Sequence, residues 1–319
     1  ALSSAASDVY KRQTYGDRSH GERPDYPAIL AEIIQRTFDR GGSLVIPSFA
    51  VGRTQEMLYF IRQIKEQGLV HGHDGFTVYV DSPLANEATT IFSENAYTCY
   101  DEEAMDLLNK GINPLSFQGL KTSVTTDDSR AINFDEDCKV IISASGMCEA
   151  GRIKHHLKHN LWKPECTIVF VGYQGEGTLG RSLLEGVRSV KLFGEEIAVK
   201  AKIVNFQGLS SHADHDHLVE WINAFDPKPA HVFVVHGDED VAPVFAEELN
   251  SLGFHAHAAK FTECYDLAAN EMVSEGYISE RKRTAQKSRA DNLYAKLVAA
   301  AESLLEFAKR CKGRPNKDI

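Results

Sequence analysis

The 319-residue chain has only two tryptophans, four methionines and six cysteines. The cysteines (Cys99, Cys138, Cys148, Cys166, Cys264, Cys311) are scattered, and no two stand as C-x-x-C. In a chain of this length that excludes a disulfide framework and a cysteine zinc site, and predicts reduced thiols. There is no apolar run of about 18 residues, so no membrane span is expected. The first residues lack the basic region, apolar stretch and small-residue cleavage site of a signal peptide, and a cytoplasmic location is the expectation. Positive charge is also in deficit. With 35 Lys and Arg against 45 Asp and Glu, the net charge is -10, which argues against non-specific coating of nucleic acid but permits a local basic groove.

What remains is ordinary for a globular protein of about two domains: 43% hydrophobic and 25% charged residues. Apolar Ile29, Leu30, Ile33, Ile34 and Phe38 share one helical face, and Gly41 and Gly42 stop that helix. Apolar runs at 43–49, 77–80, 139–143, 167–171 and 231–235 read as strands, with helices at 54–67, 84–94, 215–225 and 241–252. Short buried strands alternating with helices predict an α/β fold with a largely parallel sheet. Beyond about Arg281 a charged tail carries Leu293, Leu297, Leu304 and Leu305; that stripe suits docking or a homodimer, and equally a solvated appendage.

In open parallel sheets ligands collect at the carboxyl ends of the strands. The unusual residues fall there: Ser48 to Arg53, Asp81 to Pro83, Ser143 to Arg152, Gly172 to Arg181, and His236 to Asp240. Ser143, Ser145 and Gly146, with Arg152 behind them, would make a phosphate cradle of small residues and backbone amides. Gly175, Gly177, Thr178 and Gly180 fit G-x-G-x-x-G between a strand and a helix, and Glu195 or Glu196 lies near a ribose-binding offset. That keeps a nucleotide-cofactor oxidoreductase open, although the pattern comes late in the chain. The H-x-H zinc signature is imitated twice, by His71 and His73 in a Gly-rich turn and by the scrambled His212 to His217, and neither keeps the required order. His236 at a strand end before Gly237 suits a metal ligand aimed into a crevice, or a surface histidine.

Taken in order, TYGDRSH (Thr14 to His20), PSFAVGRTQE (Pro47 to Glu56), DSPLA (Asp81 to Ala85), SASGMCEAGR (Ser143 to Arg152), GYQGEGTLGR (Gly172 to Arg181), SSHAD (Ser210 to Asp214) and VVHGD (Val234 to Asp238) resemble the successive motifs of the β-CASP nucleases of the metallo-β-lactamase fold. The resemblance covers nearly everything from residue 14 to about 265. It implies a β-CASP domain at 21–195, a returning metallo-β-lactamase segment at 196–270 and a helical tail at 271–319. Residues 1–20 would hold the end of the first metallo-β-lactamase segment behind a foreign or remnant arm, because Ser3 to Gln13 is similar to translated adapter sequence.

The resemblance also implies a zinc-dependent hydrolase of RNA phosphodiester bonds, endonucleolytic or 5′-exonucleolytic. His212, with Asp214, would serve catalysis by protonating the leaving oxygen, and His236 would be a zinc ligand. Ser48, Arg53, Ser143, Ser145, Gly146, Arg152, Gly175, Gly177, Thr178 and Arg181 would hold RNA phosphates. The family's glutamate falls where Arg12 stands, and the H-x-H-x-D-H motif that supplies most ligands for two zinc ions is absent from these residues. The expectation is a chain inactive by itself, with a catalytically silent RNA-binding scaffold as the alternative.

Overall fold

The computed structural model describes residues 8–12, 19, 24–206, 209, 213–235 and 241–277, with backbone alone for 8–12. The chain divides into two compact units, residues 18–217 in one and residues 1–17 with 218–319 in the other.

β1 (Asp8–Arg12) belongs to the smaller unit. The larger unit then runs through α1 (Tyr26–Phe38), β2 (Leu44–Pro47), α2 (Arg53–Glu66), β3 (Thr77–Val80), α3 (Pro83–Glu94), α4 (Ala96–Cys99), α5 (Glu102–Asn109), β4 (Leu120–Thr122), α6 (Thr126–Phe134), β5 (Lys139–Ser143), α7 (Ile153–Asn160), β6 (Thr167–Phe170), α8 (Leu179–Leu184), β7 (Ser189–Leu192), β8 (Glu195–Ala198) and β9 (Lys202–Asn205). Six strands form one sheet in the order β4-β3-β5-β2-β6-β9, every pair parallel. This is the α/β architecture that the sequence predicts.

The central strands are buried on both faces, which is why they read as continuous apolar runs. Leu44 and Ile46 of β2 pack with Val78, Val80, Val140 and Ile142 and with Leu30, Ile34, Met57 and Ile61 of α1 and α2. Val45, one residue out of phase, packs on the other face with Ile141, Ile168 and Phe170 and with Ile153, Leu157 and Leu183 of α7 and α8. Local chemistry sets the helix ends. Asp25 caps α1 by accepting from Ala28 N at 3.0 Å, Ser82 caps α3 with Pro83 in its first turn, and Thr125 and Asp128 form a capping box on α6. Gly42 lets β2 approach β6 closely, since a Cβ there would lie 2.1 Å from the Glu165 carbonyl oxygen.

Two features complete the larger unit. β9 hydrogen-bonds to β6 as an edge strand of the large sheet, so residues 196–217 group with the larger unit by contact. Before it, β7 and β8 form an antiparallel hairpin outside that sheet. Phe193 and Gly194 at its turn both have positive φ, 51° and 88°, as a two-residue primed turn requires.

The smaller unit contains α9 (His215–Asn223, straddling the division), β10 (His231–Val235), α10 (Val241–Ser251), β11 (Ala256–Ala258), β12 (Cys264–Asp266) and β13 (Glu271–Ser274). β10 is flanked by β1 and β11, both parallel to it. The segment expected to be a foreign arm is thus paired along Asp8 to Arg12. Phe245, Leu249, Val232 and Val234 are buried in this unit. Of the expected helical tail at 271–319, residues 271–277 are described and open with the strand β13, whose pairing with β12 makes that stretch extended and not helical; residues 278–319 lie outside the described residues.

Candidate functional site

The connection after β2 runs through α2 to β3, past β5, whereas that after β5 runs through α7 to β6, past β2. Adjacent strands whose connections leave in opposite directions open a crevice at their carboxyl ends. The loops after β2 (48–52), β5 (144–152) and β6 (171–178) meet there, so Ser48, Ser143, Ser145, Gly146, Gly175 and Gly177 all lie on one edge of the sheet.

The β5 loop is tightly folded. Ser145 N donates to Ala150 O at 3.2 Å, Cys148 N to Ser145 O at 3.2 Å, and Ile153 N to Ala144 O at 3.3 Å. Gly151 has φ 85°, and a Cβ on it would lie 2.5 Å from Ala144 O. The β6 loop is tied to it twice: Gly180 N donates to Met147 O at 3.1 Å, and Gln174 Nε2 donates to Gly146 O at 2.9 Å and Gly172 O at 3.1 Å. Gln174 is buried, and its Oε1 has no hydrogen-bond partner. The sequence reading passed over this residue inside GYQGEGTLGR; only its polarity between glycines could have signalled it.

Beneath the crevice lies a second group without a local signature. Asp81, at the end of β3, is fully buried. Its carboxylate accepts from His156 Nε2 at 2.6 Å, Ser129 Oγ at 2.6 Å, an Arg152 guanidinium nitrogen at 2.8 Å and the Ser123 hydroxyl. Burial alone would push this carboxyl up. Hydrogen bonds from His156, Ser123 and Ser129, with the His156 charge, overcome that and hold it well below the usual carboxylate range. The fully buried His156 is held on its other side by Asn133 Oδ1 at 2.9 Å.

The structure gives several expected phosphate ligands internal partners. Arg152 is held by Asp81, by Ser123 Oγ at 3.0 Å and by Val124 O at 2.9 Å. Arg53 donates to Glu56 and to Leu209 O, and Arg181 Nε to Glu185 at 2.7 Å. Ser48 is buried and receives Thr54 Oγ1 at 3.1 Å, and Ser143 Oγ donates to Asp81 O at 2.8 Å. Thr178 is the N-cap of α8, accepting from Arg181 N at 3.2 Å. Leu179 N, at the same helix start, already donates to Glu149 Oε1 at 2.6 Å. Asp214 is buried and caps α9, accepting from His217 N at 3.0 Å and pairing with His217 Nδ1 at 2.6 Å. His212 and His236 lie outside the described residues.

The dinucleotide reading fails on geometry. α8 is six residues long, the next two strands form an antiparallel hairpin, and the acids at the ribose offset are engaged. Glu195 pairs with Lys158 at 2.6 Å and Glu196 accepts from Ser189 Oγ at 2.7 Å. His73 lies in the expected loop, 3.0 Å from Asp39. Among the described residues no group of three or more His, Cys, Asp or Glu side chains could hold a metal ion; taken alone, they do not fit a zinc centre.

A doubly covered parallel sheet with Ser/Gly-rich loops meeting at its carboxyl edge defines an α/β domain of the doubly wound kind. Family models define it further: a Beta-Casp domain matches residues 54–183, and a Zn-dependent metallo-hydrolase RNA specificity domain matches residues 196–259. The chain is 34% identical to ribonuclease TTHA0252 of Thermus thermophilus over 82% of its length and 59% of the relative. It is 32% identical to transcription termination factor FttA of Methanocaldococcus jannaschii over 75% of its length and 38% of the relative. An RNase J-like protein of the same organism is 33% identical over 68% of the chain and 48% of the relative. The chain thus belongs to the β-CASP family of the metallo-β-lactamase fold. It spans between about two fifths and three fifths of the length of these relatives.

Proposed function

We propose that this chain is the β-CASP portion of a zinc-dependent ribonuclease, and that it holds single-stranded RNA along the crevice at the carboxyl ends of β5, β2 and β6. The match of a Zn-dependent metallo-hydrolase RNA specificity domain to residues 196–259 carries the reading. The meeting of three small-residue loops at the sheet's switch point supports it. A zinc centre, in this reading two ions, would supply a bound water of lowered pKa and neutralise charge on the phosphoryl oxygens. His236 would hold one ligand position and His212 would protonate the leaving oxygen, while Asp214 fixes the start of α9. Because the 319 residues contain no H-x-H-x-D-H set, the chain by itself cuts nothing. A cytoplasmic setting and a homodimer complete the reading.

The test joins this chain to the portion of the Thermus thermophilus ribonuclease that it does not span, and assays labelled RNA with and without a chelator. Chelator-sensitive cleavage by the joined protein, with none by the chain alone, is expected. RNA binding without cleavage, in a joined protein whose folding is verified, would favour the silent scaffold.

A further inference from the structure

Phe49 follows β2 at the mouth of the crevice, and its backbone is fixed. The Phe49 carbonyl accepts from Thr54 N at 3.2 Å, Thr54 Oγ1 at 2.8 Å and Ser48 Oγ at 3.3 Å, while Ser48 N extends the β2–β5 ladder to Ser143 O at 3.0 Å. A residue so firmly held beside a core in which Leu44 and Ile46 are fully buried would be expected to bury its ring too; instead Phe49 is 43% exposed. Two glycines form its seat. A Cβ on Gly146 would lie 3.1 Å from ring atom Cδ2, and one on Gly172 would lie 3.6 Å from Cε2. A second exposed aromatic, Tyr173 (42%), follows Gly172 directly.

The electrostatics of the crevice sharpen the meaning of that exposed ring. The chain carries a net charge of -10, and Arg53, Arg152 and Arg181 are already paired with Glu56, Asp81 and Glu185. Those three arginines are therefore not free to meet a polyanion, and an aromatic face offers another source of single-strand affinity.

We propose that Phe49 is a stacking platform for one nucleobase of single-stranded RNA, with Tyr173 beside it, while the 145–146 backbone faces the adjoining phosphate. The proposal rests on the RNA reading above and deepens it. The platform accepts any base, because every base presents a π-face, and it rejects duplex, whose bases are already stacked.

The test uses the 319-residue chain and fluorescence anisotropy with two labelled oligomers of equal length, a single-stranded RNA and an abasic ribose-phosphate chain. Phe49→Leu keeps an apolar side chain over Gly146 and Gly172 but removes the π-face; Phe49→Tyr restores it. Stacking predicts that F49L weakens binding of the RNA roughly tenfold, leaves the abasic Kd and the salt dependence unchanged, and that F49Y binds like the parent. Circular dichroism melts verify that both variants fold. Equal losses on the two oligomers would overturn the proposal, because Phe49 would then act through loop structure, and so would no loss on either. If the parent chain binds neither oligomer, the RNA reading itself falls and the stacking platform with it.

Discussion

Replacing Asp81 with asparagine removes one charge from a site with no access to water and changes the shape hardly at all. The carboxylate accepts from four side chains, on α6, on α7 and on the segment after β4. The amide can accept at only one of its two ends, so its NH2 must face a donor that previously had a partner. Arg152, whose side chain is 22% exposed, and the fully buried His156 lose their common counter-ion. Breaking a buried ion pair by removing one partner costs about 3–5 kcal/mol. In a cooperative unit of roughly 200 residues each kcal/mol lowers Tm by about 2–4 °C, so Asp81→Asn should lower it by roughly 6–20 °C. The control is Asp127→Asn, which disrupts an exposed pair with Arg130 at 3.2 Å and should leave Tm unchanged.

Thermal unfolding followed by circular dichroism reads both variants, and pH adds a second signature. Because folding depresses the Asp81 carboxyl, its contribution is complete above the unfolded value of about 3.9 and fades as pH falls below it toward the folded value. The Tm gap between parent and variant should therefore be full at pH 7 and shrink below about pH 4. A gap under 2 °C at pH 7, or one that does not shrink in acid, would refute the assignment of Asp81 as the hub beneath the crevice.

Gly42→Ala would drive a Cβ into the Glu165 carbonyl at 2.1 Å and should destabilise the protein by about 1–3 kcal/mol, measured by urea unfolding; an unchanged midpoint would contradict the close approach of β2 and β6. Among the described cysteines, Cys99 and Cys264 are exposed, whereas Cys148 and Cys166 are buried and burial pushes both thiols up. A thiol-reactive dye should label the first pair rapidly and the second only on unfolding, and uniform labelling would contradict the packing. Titration with NADH should give no saturable fluorescence change, since Glu195 is held by Lys158 and the strand directly after α8 turns back in the antiparallel β7–β8 hairpin; saturable binding would revive the oxidoreductase reading.

Much of the larger unit was legible because β2, β5 and β6 are buried on both faces and β3 buries Val78 and Val80 in alternation, so their sequence runs coincide with the observed strands. The stretch 95–134 was not. α5 buries no residue, α6 buries only Ser129 and Ile132, and β4 is a three-residue edge strand with no buried side chain, so no apolar period marks them. In the site, the strand-end position of Ser48, Asp81, Ser143 and Gly175 followed from periodicity. The partners did not: His156 meets Asp81 across 75 positions and Ser129 meets it across 48, distances that no local pattern encodes. Arg53, Arg152 and Arg181 have the right type and place for phosphates, but only the folded chain shows the acids and carbonyls that hold them. Phe49 ends the apolar run 43–49, and an apolar residue there ordinarily signals core, so nothing local marks its exposure.

The most direct test of the central claim is zinc content together with RNA cleavage in the joined protein, comparing the parent with His236→Ala. Loss of bound zinc and of cleavage, with single-stranded RNA binding retained, is the predicted result. Unchanged zinc content and cleavage would contradict the account.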